Sequence, residues 1–114
     1  MKNIYILEDD YNIRDLIQMV LETQDFKVKT YSNISDFQRM KNEVVPDLFL
    51  LDFMLPDGNG LDVCKNLKNS EETKDVPVIL MSAHPNLNKM KGADALLPKP
   101  FDVDELIQLI SNHI

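Results

Sequence analysis

Ile4-Tyr5-Ile6-Leu7-Glu8-Asp9-Asp10 is the stretch that decides the fold. Its first four residues form a continuous apolar run too short for a helix, which predicts a strand buried on both faces. Ile13, Leu16, Ile17, Val20 and Leu21 follow at i, i+3, i+4, i+7 and i+8, one face of a helix. Three carboxylates therefore stand between the end of a buried strand and the start of a helix. Asp10 or Asn12 can cap that helix.

The alternation of strand and helix continues outward. Phe26 to Thr30 alternates and predicts an edge strand, and Ser32 to Lys41 a weaker helix carrying Ile34, Phe37 and Met40. Pro46 stops any helix, and Leu48-Phe49-Leu50-Leu51 predicts another fully buried strand. Pro56-Asp57-Gly58-Asn59-Gly60 is turn chemistry. Leu61, Cys64 and Leu67 then return to helical spacing. Val76 to Met81 and Ala95-Leu96-Leu97 are two further strand-like runs. The last helix opens at Asp102 with Glu105 three residues on, a capping-box pattern in which Phe101 can staple onto Leu106. Its buried stripe is expected from Val103, Leu106, Ile107 and Ile110. Strand and helix in strict alternation imply a parallel sheet with helices on both faces, that is, an α/β doubly wound domain.

Composition narrows the function. The chain has 114 residues, 12 basic and 19 acidic, a net charge of −7, 44% apolar residues and one Cys. That length fits one domain, residues 1–114. The apolar fraction argues against disorder or coiled coil. No apolar run approaches the roughly 20 residues that span a bilayer. The acidic balance argues against direct nucleic-acid binding, which needs clustered Lys and Arg. A single Cys cannot form an internal disulfide, so a cytoplasmic setting is expected. Met1 lies just before the first strand, so the expectation is that nothing folded precedes the domain.

In doubly wound sheets the ligand site lies past the carboxyl ends of the strands. Glu8, Asp9 and Asp10 stand past the first strand, Asp52 past the third, Ser82 past the fourth and Lys99 past the fifth. Converging carboxylates repel unless a cation sits among them. Mg2+, a hard ion usually held by one or two carboxylates, waters and a phosphate, suits that role. A carboxylate so braced can act as a nucleophile on phosphorus, with Lys99 and Ser82 serving the transferred oxygens. Each residue alone is better read as a cap or a solvated charge. Their shared placement is what carries the signal.

The chain resembles the receiver domains of two-component response regulators along essentially its whole length. The residues that carry the resemblance are Glu8-Asp9-Asp10 with Arg14, Leu51-Asp52 with Leu55 to Gly60, Met81-Ser82-Ala83, Gly92-Ala93-Asp94 and Lys99-Pro100-Phe101. The resemblance implies a flavodoxin-like five-stranded parallel sheet of order 2-1-3-4-5. It implies Asp52 as phosphoacceptor, charged by a sensor histidine kinase or a histidine phosphotransfer protein. Asp9 is then expected to bind Mg2+ directly, Glu8 mostly through water, and the backbone carbonyl of Met54 to complete the protein ligands. Ser82 matches the switch hydroxyl and Lys99 the phosphate-binding lysine, with a cis Lys99–Pro100 peptide. The implied role is signalling rather than turnover, limited to self-phosphorylation and self-dephosphorylation.

Two departures bear on switching. Only 9 residues separate Ser82 from Gly92, which predicts a fourth helix shortened to one turn or missing. The family's switch aromatic, three residues before the lysine, is here Leu96. A flank left open by the short crossover could form a homodimer contact or dock a partner. Cys64 is read as a small buried hydrophobe, and His84 as a solvated loop residue. The rival reading is a degenerate receiver that binds proteins without being phosphorylated. A metal-dependent phosphatase is disfavoured because Met54 stands where its second Asp belongs. A flavodoxin-like cofactor carrier is disfavoured because Glu8-Asp9-Asp10 would repel a phosphate.

Overall fold

In the computed structural model, which describes residues 1–39, 44–83 and 91–114, the sheet grows outward from the apolar runs. β1 (Asn3–Leu7) buries Ile4, Tyr5, Ile6 and Leu7. β3 (Leu48–Asp52) and β6 (Val78–Ser82) are buried at every position. β2 (Lys27–Tyr31) and β7 (Ala95–Pro98) are the half-exposed edges. All five pair in parallel in the order β2-β1-β3-β6-β7. Setting aside a small antiparallel hairpin, β4 (Met54–Leu55) with β5 (Gly58–Asn59), this is the expected 2-1-3-4-5 order.

Four helices accompany the sheet among the described residues: α1 (Tyr11–Thr23), α2 (Ile34–Gln38), α3 (Gly60–Lys68) and α4 (Val103–His113). Alternate residues of the central strands supply two cores. Ile4, Ile6, Leu48, Leu50, Ile79 and Met81 pack with Ile17, Leu21, Leu106 and Ile110 of α1 and α4. Tyr5, Leu7, Phe49, Leu51, Val78 and Leu80 pack with Phe37, Val63 and Cys64 of α2 and α3. In the second core Tyr5, Tyr31, Phe37 and Phe49 meet edge to face, with centroids 5.5–6.1 Å apart.

The differences from the sequence reading lie at element ends. β2 begins one residue late because Lys27 is the partner of Asn3, and Phe26 instead packs into the first core. α2 starts at Ile34 because Asn33 caps it, accepting from the Asp36 N–H at 2.8 Å. β6 starts after Pro77, which has no N–H to give a ladder. Leu16 and Val103 lie at the margins of their helical stripes and are exposed. The expected loss of the fourth helix, and His84, fall on residues 84–90, outside the described residues. Among the described residues, no helix is long and apolar enough to cross a membrane.

Candidate functional site

The carboxyl ends of β1, β3, β6 and β7 meet at one cleft of about 260 Å³, whose walls include Glu8, Asp9, Asp52, Met54, Ser82 and Lys99. A larger cavity of about 390 Å³ lies beside the amino end of β3, behind Tyr5, Phe37 and Phe49. The acidic cluster is in the smaller one. Glu8, Asp9 and Asp52 each bring an oxygen within 4.8 Å of the others, the one such group among the described residues.

Each side chain is aimed by the backbone beneath it. Asp52 ends β3 in register with Met81, and the next N–H, of Phe53, donates to the Met81 carbonyl at 2.8 Å. Ser82 closes β6 in register with Pro98, and the Lys99 N–H donates to the Ser82 carbonyl at 2.8 Å. Lys99–Pro100 is a cis peptide, as expected. The Glu8 N–H extends the β1–β2 ladder by donating to Tyr31 at 3.0 Å. Arg14, one turn into α1, donates to the backbone carbonyls of Glu8 and Asp9 at 2.9 and 3.3 Å, which fixes the acidic turn from behind. Asp10, also on the cleft wall, caps α1, accepting from the Ile13 N–H at 3.0 Å. Tyr11, the first residue of α1, is exposed with the Arg14 guanidinium 5.6 Å from its ring.

The charges are tightly coupled. Lys99 Nζ lies 2.5 Å from Glu8 Oε1 and 3.2 Å from Asp52 Oδ1. Glu8 is fully buried, and burial pushes its carboxyl up to about 7; its contact with Asp52 pushes the same way, against the pull of Lys99. Burial would lower the Lys99 pKa, but the hydrogen bond and charge of Glu8, with Asp52, hold it above its usual value. Asp9 is exposed at the mouth, while Asp52 and Ser82 are buried. Hard oxygen donors from three carboxylates, with an open side at Asp9, form a donor set that fits Mg2+.

Glu8, Asp9, Asp52, Ser82 and Lys99 are thus brought together, and Met54 lies on the same cleft with its side chain outward, 70% exposed. Leu96 is half-buried against the α2–α3 core. Cys64 is buried, its thiol pushed up by burial and 3.7 Å from the Gly92 carbonyl.

Two residues that the sequence showed only as turn chemistry make contacts it did not foretell. Gly60 opens α3 against the chain that leaves β3: its N–H donates to the Phe53 carbonyl at 2.8 Å, and an added Cβ would stand 2.2 Å from the Asp52 carbonyl oxygen. Asp57 accepts from the Ile34 and Ser35 N–H groups at 2.9 and 3.0 Å, and these bonds, that from Ile34 foremost, hold its carboxyl below the usual range. The Asp-Gly pair inside a turn run was the available signal for a hairpin. Nothing in the sequence marked what Asp57 would reach.

The sequence model of the response regulator receiver domain family matches residues 4–111. The chain is 36% identical over 112 residues to the DNA-binding dual master transcriptional regulator RpaA of Synechocystis sp., covering 94% of this chain and 46% of that protein. It is 34% identical over 114 residues to the phosphate regulon transcriptional regulatory protein PhoB of Escherichia coli, covering 96% and 50%. The crystal structure of the response regulator TrrA from Thermotoga maritima, in complex with Mg2+ and BeF, superposes with a TM-score of 0.89 at 26% identity over the full length of both chains. The chain spans about half the length of these curated relatives.

Proposed function

The chain belongs to the response regulator receiver domain family, and from that premise we propose that Asp52 is its phosphoacceptor, served by Ser82 and Lys99 and by Mg2+. It is a signalling domain rather than a turnover enzyme, and receiver domains take their phosphoryl group from sensor histidine kinases. The observation that carries the reading is the convergence of Glu8, Asp9, Asp52 and Lys99 in one cleft.

Glu8, Asp9, Asp52 and the backbone carbonyl of Met54 would hold the ion, which neutralises charge developing on the phosphoryl oxygens. An Asp52 carboxylate oxygen attacks phosphorus. The bond from phosphorus to the donor histidine nitrogen breaks, its electron pair leaves with the imidazole, and an acyl phosphate forms. Lys99, already 3.2 Å from Asp52, follows the new oxygens as a point charge. The Ser82 hydroxyl donates to another of them. Hydrolysis reverses the charge state: water attacks phosphorus, the phosphorus–oxygen bond to Asp52 breaks, and inorganic phosphate leaves. While it lasts, the phosphoryl group adds about −1.5 to −2 charges near pH 7. The strand ends that carry Ser82 and Lys99 are the elements that charge would pull on. Residues 1–114 act as one receiver unit, and the kinase-linked role with a lone buried Cys64 fits a cytoplasmic setting. The flank of β7 is the proposed surface for a homodimer or a downstream partner.

Incubation with acetyl phosphate and Mg2+ tests this. One phosphoryl mass should be gained, and not gained when a chelator is present from the start. No gain with Mg2+ present would favour the degenerate binding module.

A further inference from the structure

The hairpin β4–β5 connects Met54 to three parts of the molecule. Met54 pairs with Asn59, and Leu55 with Gly58. At its base, Asn59 caps α3 by accepting from the Asp62 N–H at 2.9 Å, and Gly60 returns a hydrogen bond to Phe53 at 2.8 Å. At its tip, Asp57 reaches across to α2. Both oxygens of that carboxylate are used, Oδ1 by the Ile34 N–H and Oδ2 by the Ser35 N–H.

We propose that Asp57 is a positioning residue for the metal side of the site: it clips the hairpin tip to α2 and so holds the Met54 backbone carbonyl at the acidic cluster. This rests on the Mg2+ reading above. A second contact supports the clip independently. Gly58 lies so close to α2 that a Cβ there would meet the Ile34 side chain at 2.7 Å, so the tip is seated on α2 by packing as well as by charge. Asn33 satisfies the Asp36 N–H of α2 at 2.8 Å, and Asp57 takes the Ile34 and Ser35 N–H groups, which have no partner inside the helix. The same two bonds tie the hairpin to the helix end. Without it, the tip keeps its two short strand pairings, the Gly58 contact and the packing of Leu55 on the second core, but loses its polar tie to α2, and the Met54 carbonyl gains freedom that Mg2+ binding must remove.

Calorimetric Mg2+ titration of the full chain, with thermal melts alongside, separates positioning from plain helix support. Asp57→Ala is at an exposed position and should raise the Mg2+ Kd by about tenfold, the low end of what loss of an outer-sphere partner does to metal affinity. Asn33→Ala removes the cap of α2 but leaves the hairpin alone; it should lower Tm without changing the Kd. Asp57→Asn keeps one acceptor oxygen and should fall between wild type and Asp57→Ala. An unchanged Kd in Asp57→Ala, or an equal rise in Asn33→Ala, overturns the inference while the metal reading stands. Failure of the wild-type chain to bind Mg2+ overturns both.

Discussion

Gly60→Ala is the substitution whose consequence follows most directly from geometry. The new Cβ would stand 2.2 Å from the carbonyl oxygen of Asp52 and 3.0 Å from its carbonyl carbon. The oxygen is about 1 Å inside ordinary van der Waals contact and the carbon about 0.5 Å. Both partners are backbone, so no side chain can rotate away. Either α3 moves off the sheet or β3 bends at its last residue. Overpacking of this kind costs about 1–3 kcal/mol, and stretching the Gly60–Phe53 hydrogen bond adds about 1 kcal/mol. For a chain of this size the sum lowers Tm by about 10 °C. The effect on chemistry should be larger. A shift near 1 Å at the nucleophile costs about 10²-fold in rate. The assay is phosphoryl incorporation from acetyl phosphate with Mg2+, run well below both melting temperatures so that unfolding does not contribute. Incorporation at the wild-type rate, with an unchanged Tm, would refute the claim that this glycine is required by its approach to Asp52.

Other perturbations separate the roles of the charged groups. Lys99→Ala leaves the buried Glu8 and Asp52 without their cation, and breaking such a pair destabilises by up to about 3–5 kcal/mol. Urea titration should show that loss in metal-free protein and partial recovery with Mg2+. Asp10→Ala removes the α1 cap at the cleft wall, so it should cost about 1 kcal/mol while phosphoryl incorporation is kept; loss of incorporation would give Asp10 a part in the transfer. Burial opposes ionisation of Asp94, but its 2.7 Å contacts with Lys68 and the Val78 N–H hold its carboxyl below the usual range. A depressed native pKa stabilises above the unfolded value near 4 and is lost as pH falls through the native one. The gap in urea midpoint between wild type and Asp94→Asn should thus close as pH drops below about 4.

Ile4 to Leu7, Leu48 to Leu51 and Val78 to Met81 were legible as strands because a run buried on both faces must be apolar at every position. That pattern fixed which residues come just past the strand ends, and so Glu8, Asp9, Asp52, Ser82 and Lys99 could be grouped before any contact was known. Edges were read less well. Phe26 continues the alternation of β2 but belongs to the first core, since strand pairing, not side-chain pattern, sets where a ladder begins. Leu16 matched the helical period of α1 yet lies at the margin of its buried arc, where a few degrees decide exposure. Asp57 and Gly60 were hidden for a different reason. Each acts through space on a backbone group, Asp57 on α2 and Gly60 on Asp52. Such contacts depend on how elements dock, which periodicity does not encode.

One chemical measurement reads directly where phosphorus is carried. After charging with acetyl phosphate and Mg2+, borohydride reduction converts an aspartyl phosphate to homoserine, and peptide mass spectrometry locates the converted residue. Homoserine is expected at position 52 alone, and none in Asp52→Asn. Conversion at Asp9 or another carboxylate, or incorporation that survives in Asp52→Asn, would contradict Asp52 as the phosphoacceptor.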